Sequence, residues 1–104
     1  MVAQARRNLL DGYRVLDFTQ FVAGPTVTKL MAEMGAEIIK IELAPNGDLC
    51  RNFPFVIDKR SAYFVQQNRG KQSLCVDIKN PWARRSSATS SRRSTWWCRT
   101  THPG

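Results

Sequence analysis

Two short apolar segments, joined by a stretch with helical periodicity, constrain the fold of this chain more than any other feature. Residues 13–18 (YRVLDF) and 37–42 (EIIKIE) are rich in β-branched or aromatic side chains and bounded by turn residues, which is typical of buried strands. The stretch between them, residues 25–34 (PTVTKLMAEM), has the length and spacing of a crossover helix. Short joints on both sides predict a β-α-β unit, which implies a parallel sheet with a right-handed crossover. Residues 71–78 (KQSLCVDI) alternate well enough to predict a third strand.

The predicted helix has recognisable ends. Pro25 suits the first helical position because its fixed φ is already that of a helix, and Gly35 stands where a left-handed C-terminal cap is expected. Residues 43–55 are predicted to form a loop, and residues 61–68 a short helix or an extended segment. Four apolar side chains at helical spacing predict one buried stripe: Val27, Leu30, Met31 and Met34.

The C-terminal quarter of the chain differs in composition from the rest. Of the 16 Lys and Arg residues, eleven lie in residues 1–79 together with all eight Asp and Glu residues. Residues 80–104 hold five Arg, five Ser, four Thr and all three Trp, but no acid and no Leu, Ile, Val, Met or Phe. We therefore predict one α/β unit in residues 1–79 and a disordered tail in residues 80–104.

The cysteine and histidine content argues against the common metal and disulfide frameworks. Cys50, Cys75 and Cys98 are widely separated and odd in number, and no C-x-x-C pair occurs. The only histidine is His102, so the sequence predicts no metal site. No apolar run approaches the ~18 residues that span a bilayer, and no signal-peptide core follows the N-terminal arginines. We expect a soluble, cytoplasmic chain with no membrane partner.

Several polar side chains lie near the ends of the predicted strands, where parallel sheets bind ligands. Asp17 follows the apolar run of the first strand and is either a catalytic carboxylate or, as we favour, an acceptor for backbone donors of the loop. Glu37 and Glu42 flank the second strand, and we expect both to be solvated. Arg69 and Lys71 belong to the sequence NRGK, for which a solvated turn is the default and a phosphate clamp the alternative. The strand-to-helix turn FVAGP lacks the glycine fingerprint of dinucleotide sites.

The segments LDGYRVLDFTQFVAGP, GAEIIKIE and SAYFVQQNRGKQSLCVDIKNP, in this order, resemble the N-terminal region of the family III CoA-transferases. That family includes formyl-CoA transferase, carnitine CoA-transferase and α-methylacyl-CoA racemase. The resemblance runs from about Leu10 to Pro81, with L-D-G-x-R-V-L-D, A-G-P, G-A-x-I-I-K-I-E and N-R-G-K all in register. It implies that residues 1–79 are the start of a Rossmann-like parallel-sheet large domain, which this chain leaves truncated.

The resemblance also implies a site for coenzyme A or acyl-CoA as substrate. Val22 and Ala23, in the first strand-to-helix loop, would lie along the coenzyme. In some members an arginine after the second strand grips a CoA phosphate, but Leu43 occupies that position here. The end of the third strand would frame the adenosine portion, through Val76, Asp77, Ile78 and Lys79.

The catalytic residue of the family is not found in this chain. The resemblance implies that the transferase nucleophile is an aspartate well beyond the region covered, and neither Asp17 nor Asp77 takes its place. We therefore expect the chain to be catalytically inactive by itself. The family forms interlocked homodimers, which we do not expect of so short a segment. Transferase and racemase remain equally compatible with these residues, and the acyl donor and acceptor are not specified.

The tail admits an explanation at the level of the gene. Family members continue after KNP with an amphipathic helix, a Val-rich strand and an Asn-Tyr/Phe-x-Pro-Gly turn. If one base is lost near codons 80–82, the adjacent codons of Trp96 and Trp97 encode a forced valine, and serines encoded TCN become Phe, Leu, Ile or Val. We interpret residues 80–104 as a frameshifted tail, because those serines fall at the spacing of one helical face: Ser86, Ser87, Ser90, Ser91 and Ser94.

A different class of function competes with this interpretation. The chain has a formal net charge of +8, and a tail rich in Arg, Ser and Trp can contact phosphates and stack on bases. A small basic nucleic-acid-binding protein is therefore the alternative. We favour the CoA-transferase resemblance, because the tail matches no nucleic-acid-binding module and the shifted frame accounts for the same residues.

Overall fold

A computed structural model describes residues 8–85 and the backbone of residues 96–98. Residues 81–85 form a short helical segment. The elements follow one another as β1 (Arg14–Asp17), α1 (Ala23–Glu33), β2 (Glu37–Leu43), a 3-10 helix (Leu49–Asn52), β3 (Val56–Ile57), β4 (Arg60–Ser61), α2 (Ala62–Asn68), β5 (Lys71–Val76) and β6 (Trp96–Cys98).

Four strands form a parallel sheet in the order β5-β2-β1-β6. Arg14 of β1 pairs with Glu37 of β2, and Ile38 of β2 pairs with Lys71 of β5. The predicted β-α-β unit and third strand are thus confirmed. The sequence did not predict the antiparallel hairpin of β3 and β4, whose strands have two residues each.

The sheet has two faces with different contents. On the face that carries α1, here the α1 face, Val15, Ala36 and Ile38 form an apolar cluster, and polar side chains continue it toward the carboxyl ends of the strands. On the opposite face, the buried apolar side chains pack against Ala83 of the helical segment 81–85. These side chains are Leu16, Ile41 and Val76.

Helix α1 begins two residues before Pro25 and buries a different side from the one predicted. The predicted stripe is wrong at three of its four positions, since Val27 is 52%, Leu30 is 47% and Met34 is 37% exposed. The buried residues are instead Gly24, Pro25 and Thr28. The sheet beneath this end of the helix is polar, so small residues and a hydroxyl pack there better than large apolar side chains.

The C-terminal cap of α1 agrees with the sequence. Gly35 has a φ of 101°, a left-handed value that favours glycine. Across this turn the N–H of Ala36 donates to the carbonyl oxygen of Met31 at 3.0 Å. A Cβ atom at Gly35 would lie 2.5 Å from the Cβ atom of Asn8, so a larger residue here would also require that segment to shift.

The structure describes two segments of the tail, residues 80–85 and the backbone of residues 96–98. Asn80 accepts the N–H of Trp82 at 2.9 Å and caps the helical segment 81–85. Trp96–Cys98 form a strand that pairs with β1. The prediction of a disordered tail stays a prediction, since residues 86–95 and 99–104 lie outside the described part. Within the described part, no helix has the length and apolarity needed to cross a membrane.

Candidate functional site

The carboxyl ends of β1, β2 and β5 meet at one edge of the sheet, where the residues singled out from the sequence also lie. Val22 and Ala23 follow β1, whereas residues 76–79 end β5. The N–H of Ala44, directly after β2, donates to the carbonyl oxygen of Val76 at 3.0 Å. Neighbouring strands are ~4.8 Å apart, so β1 and β5 are separated by about 10 Å. The two segments therefore border the same stretch of the edge.

Val22 immediately precedes α1 and offers no side-chain oxygen to cap it. Its carbonyl oxygen accepts the N–H of Thr26 at 3.0 Å and the Thr26 hydroxyl at 2.7 Å, while its side chain is 40% exposed. The first N–H groups of a helix have no partner within the helix, and the helix dipole makes this end positive. The start of α1 is therefore suited to an anionic group.

Residues 76–79 form a turn that leaves two side chains free at the edge. Asp77 accepts the N–H of Lys79 at 2.9 Å, and its carbonyl oxygen accepts the N–H of Asn80 at 3.0 Å. Val76 is buried, whereas Ile78 is 52% exposed. Within residues 8–85, the Lys79 ammonium has no ion-pair partner. Asp77 thus has a structural role here, and Ile78 and Lys79 face solvent.

Asp17 is fully buried at the end of β1 and is surrounded by donors. Its Oδ1 accepts both the N–H of Thr19, at 2.8 Å, and the Thr19 hydroxyl. Its Oδ2 accepts the Thr28 hydroxyl at 2.6 Å and the Lys71 ammonium at 2.9 Å. Burial alone would raise the pKa of Asp17, but the hydrogen bonds from Thr19 and Thr28 and the charge of Lys71 lower it below its usual value. Asp17 is therefore a charged anchor of the loop.

Lys71 is the buried partner of Asp17, with a side chain only 1% exposed. Burial lowers the pKa of Lys71, and the hydrogen bond and charge of Asp17 offset part of that shift. The ammonium group also donates to the carbonyl oxygen of Pro25 at 2.9 Å and to Oδ1 of Asn68 at 3.0 Å. All three donors are used, so Lys71 joins β5 and α2 to the start of α1.

A second buried lysine holds the other side of the same loop. Lys40, in β2, donates to the carbonyl oxygen of Thr19 at 2.8 Å, and its ammonium lies 2.8 Å from Oδ2 of Asp48. That oxygen accepts no directed hydrogen bond from the described residues, so the contact is one of charge. Oδ1 of Asp48 accepts the N–H of Phe21 at 3.2 Å and the N–H of Cys50 at 2.9 Å. Asp48 therefore connects two loops across the end of β2.

Glu42 completes the polar side of the α1 face. Its carboxylate accepts two hydrogen bonds from Arg51, at 2.6 and 2.7 Å, one from the N–H of Asp48 at 3.0 Å and one from the Ser73 hydroxyl at 2.8 Å. Burial by itself would raise the pKa of Glu42, but these donors lower it to about 2. The Arg51 guanidinium is held in place by the ring of Phe64, 3.8 Å below it.

Phe21, immediately before Val22, has a strained backbone. Its φ is 66°, a left-handed value that is rare for an aromatic residue. Its ring lies 6.1 Å from that of Phe53, which in turn meets Tyr63 edge-on at 5.8 Å. A residue in this conformation persists only where its surroundings fix it, and such residues cluster at functional sites.

The structure corrects two predictions made from the sequence. Glu42 and Lys71 were expected to be solvated, but both are buried in ion pairs. Glu37 is half-exposed and paired with Arg14. Asp17 is an acceptor for a backbone donor, as favoured, and also for three side-chain donors. The phosphate-clamp alternative for NRGK has no support from Lys71, because its ammonium is fully used inside the protein.

The surface left open at this edge is suited to binding a ligand. Asp17, Glu42 and Asp48 are all buried and hold structural partners. Among the described residues, no group of three His, Cys, Asp or Glu side chains is placed to hold a metal ion. Within the described part of the chain, the edge offers a helix start without a side-chain cap, the Lys79 ammonium and exposed apolar surface. This combination fits a ligand with both phosphate and apolar parts.

Known proteins share this segment. Residues 10–88 match the family model for CoA-transferase family III. The chain is 49% identical over 72 residues to the "Probable fatty acyl-CoA transferase Rv3272" of Mycobacterium tuberculosis, which covers 66% of this chain and 18% of that protein. It is 51% identical over 74 residues to succinyl-CoA:mesaconate CoA-transferase of Haloarcula hispanica, covering 66% and 18%. It is 48% identical over 73 residues to formyl-CoA:oxalate CoA-transferase of Rhodopseudomonas palustris, covering 69% and 17%.

Solved structures show the same fold. A crystal structure of Rv3272 from M. tuberculosis superposes with a TM-score of 0.81 at 37% identity, covering 93% of this chain and 28% of that one. A CaiB/BaiF family protein from Brucella suis superposes with a TM-score of 0.79 at 30% identity, covering 88% of this chain and 25% of that one. The chain spans only 17–18% of the length of these curated relatives.

Proposed function

The chain belongs to CoA-transferase family III, and from this membership we propose that it supplies the coenzyme A-binding edge of an enzyme that moves CoA between an acyl-CoA and a carboxylic acid. The observation that carries the proposal is the convergence of three strand ends and an uncapped helix start at one edge, all within the matched segment. The match favours this function over the nucleic-acid-binding alternative. Members of the family act on CoA thioesters.

In this proposal, two segments contact the coenzyme. Val22 and Ala23 lie along it at the start of α1, where helix N–H groups attract an anion. Val76, Asp77, Ile78 and Lys79 frame the adenosine portion, with Ile78 offering apolar surface to the base and Lys79 a charge to a phosphate. Leu43 is the last residue of β2 and stands where some members of the family carry a phosphate-binding arginine, so this position offers no cation to the coenzyme.

The reacting carboxylate is assigned to the part of the relatives that this chain does not span. Attack on a thioester carbonyl needs a carboxylate oxygen with a free lone pair and access to the substrate. Asp17 has no exposed surface and accepts four hydrogen bonds. Glu42 is equally enclosed. The chain therefore binds without catalysing, and whether the whole protein is a transferase or a racemase depends on residues outside it.

Titration calorimetry of the purified chain with CoA tests the proposal. Ile78→Asp and Lys79→Glu are each expected to weaken CoA binding by roughly tenfold or more. Ile78→Asp places a charge against the apolar base, and Lys79→Glu places a negative charge beside a phosphate. Val27→Asp is the matched control, since Val27 is equally exposed, at 52%, but lies on the outer side of α1. Equal losses at Val27 and Ile78, or saturable binding unaffected by all three, would place the coenzyme elsewhere.

We also infer the setting in which the whole protein works. An interlocked homodimer, as implied by the family resemblance, would require the remaining length of the relatives. A cytoplasmic location suits the free thiols of Cys50 and Cys75, which form no disulfide. Size-exclusion chromatography of this chain is expected to give a monomer, and an interlocked dimer at this length would contradict the assignment.

We further propose that residues 80–104 are read in a shifted frame, after the loss of one base near codons 80–82. The sequence matches to the three relatives cover 66–69% of the chain, although the family continues far beyond that length. Nucleotide sequencing across codons 80–82 is the test. An uninterrupted frame that encodes this tail in verified transcripts would refute the frameshift while leaving the CoA-binding proposal intact.

A further inference from the structure

The strained residue before the proposed CoA loop is held from outside that loop. Phe21 directly precedes Val22, and its left-handed φ of 66° sets the direction in which the chain enters α1. Its N–H donates to Oδ1 of Asp48, a residue 27 positions later in the chain. The anchoring group is therefore on the loop after β2 and does not depend on the local turn.

Asp48 is itself fixed with little freedom to move. It is 1% exposed, and its Oδ1 also caps the 3-10 helix through the N–H of Cys50 at 2.9 Å. Its Oδ2 lies 2.8 Å from the buried ammonium of Lys40, which donates to the carbonyl oxygen of Thr19 at 2.8 Å. The Lys40–Asp48 ion pair thus contacts the loop between β1 and α1 at two points, the carbonyl oxygen of Thr19 and the N–H of Phe21.

We propose that Asp48, backed by Lys40, is a positioning residue that holds Phe21 in its left-handed conformation and thereby sets the CoA-contacting backbone of Val22 and Ala23. The effect on CoA binding rests on the proposed function, whereas the role of Asp48 in the conformation of Phe21 does not. A non-glycine residue in the left-handed region is disfavoured and needs contacts that fix it. The Asp48 acceptor supplies such a contact, so its removal releases Phe21 to an ordinary negative φ and turns the following N–H groups away from their ligand.

The variants are chosen so that charge does not confuse the result. Removing Asp48 alone would leave Lys40 buried without its partner, so Lys40→Met is used as a common background. Asp48→Asn in that background keeps an oxygen that can accept from the Phe21 N–H, whereas Asp48→Ala has none. The two proteins have the same charge. Each is also made with Phe21→Gly and with Phe21→Ala, which remove the same ring but differ in their tolerance of positive φ.

The first readout needs no ligand. Backbone chemical shifts and scalar couplings of residue 21 report the sign of its φ, which is expected to be positive in the Asp48→Asn protein and negative or averaged in the Asp48→Ala protein. A positive φ that persists after Asp48→Ala overturns the proposal. If the unsubstituted chain fails to bind CoA, the proposed function fails, and this measurement still decides the role of Asp48.

The second readout is the Kd for CoA. With Phe21→Ala, the Asp48→Ala protein is expected to bind more weakly than the Asp48→Asn protein, on the order of tenfold, the size that the strain of one left-handed residue allows. With Phe21→Gly, the same two proteins are expected to differ by less than about threefold, because glycine adopts positive φ without cost. Equal losses in both backgrounds would show that Asp48 acts through the 3-10 helix and overturn the proposal.

A further comparison keeps Asp48 intact, in case the Asp48→Ala proteins do not fold. In the otherwise unchanged chain, Phe21→Gly and Phe21→Ala are expected to bind CoA within about twofold of each other, because Asp48 holds both backbones left-handed. A Phe21→Ala protein that binds about tenfold more weakly than the Phe21→Gly protein contradicts that role. Thr28→Val is the control for lost buried hydrogen bonds, since it removes a contact to Asp17 but none to Phe21.

Discussion

The two faces of the sheet are stabilised by different interactions. The α1 face carries buried ion pairs near the strand ends, and every charge in them has its partner within residues 14–73. The opposite face is apolar, with Leu16 and Ile41 buried, but Leu74 is 44% and Leu43 is 39% exposed. The difference teaches that the polar face is held by ion pairs within the segment, whereas the buried part of the apolar face also needs Ala83 of the helical segment 81–85.

The α1 face is therefore where single substitutions should matter most. Lys71→Met leaves the Asp17 carboxylate buried without its charge partner, which is expected to lower the free energy of unfolding by about 3–5 kcal/mol. Urea denaturation at neutral pH measures this. Asp17→Asn/Lys71→Met removes both charges and is expected to recover most of the loss. A single variant as stable as the parent would mean that the ion pair does not hold this face together.

Acid should act on the same face. The pKa of Glu42 is about 2 in the folded chain against an ordinary value of 4.5, so its stabilisation is fully present above pH ~4.5 and is lost as the pH falls toward 2. The shift corresponds to roughly 3 kcal/mol at neutral pH. Glu42→Gln is expected to be less stable at pH 7 and to show a flatter pH dependence in acid. Parallel curves for the two proteins would contradict the shift.

The opposite face should tolerate change where it is open. Leu74→Ala is expected to cost less than about 1 kcal/mol, because its side chain already lies half in solvent. The matched substitution Ile41→Ala, at a side chain 8% exposed on the same face, is expected to cost about 2–5 kcal/mol. Equal losses at the two positions, measured by urea denaturation, would mean that Leu74 is covered in solution.

The smallest loss of stability is expected at Arg69, two residues before Lys71, where the largest is expected. Arg69 pairs with Glu33 at 2.9 Å, but the side chains are 65% and 45% exposed. Water and salt weaken such a pair, so Arg69→Gln is expected to cost at most about 1 kcal/mol and less at high salt. Arg69 and Lys71 then give a direct comparison of an exposed and a buried ion pair within NRGK. A loss at Arg69 that matches Lys71→Met would remove burial as the explanation.

The strands and helix were predictable because their signals are local. The segments 13–18 and 37–42 carry short apolar runs, and the structure has strands at both, differing by at most one residue at either end. The family motifs likewise identified the edge of the sheet. The buried side of α1 was not predictable from its periodicity, because the sheet beneath it is polar, a tertiary fact that no helical pattern contains.

The buried lysines were missed for a related reason. Lys40 stands inside an apolar strand and Asp48 in a loop, and nothing in their separation of eight residues marks them as a pair. Sequence rules assign charged residues to solvent, which is right for most of them. Lys40, Glu42 and Lys71 depart from the rule because three different loops converge on one sheet face, and that convergence appears only when the chain is folded.

The pairing of β6 with β1 has a consequence for how this chain behaves at high concentration. Only Trp96–Cys98 occupy that side of β1 in the described part of the chain, and a ladder of three residues opens readily by local fluctuation. Main-chain ladders do not discriminate among side chains, so an uncovered β1 can be completed by any extended segment, including one from a neighbouring molecule. Strand exchange of this kind would turn the central element of the sheet into a point of polymerisation.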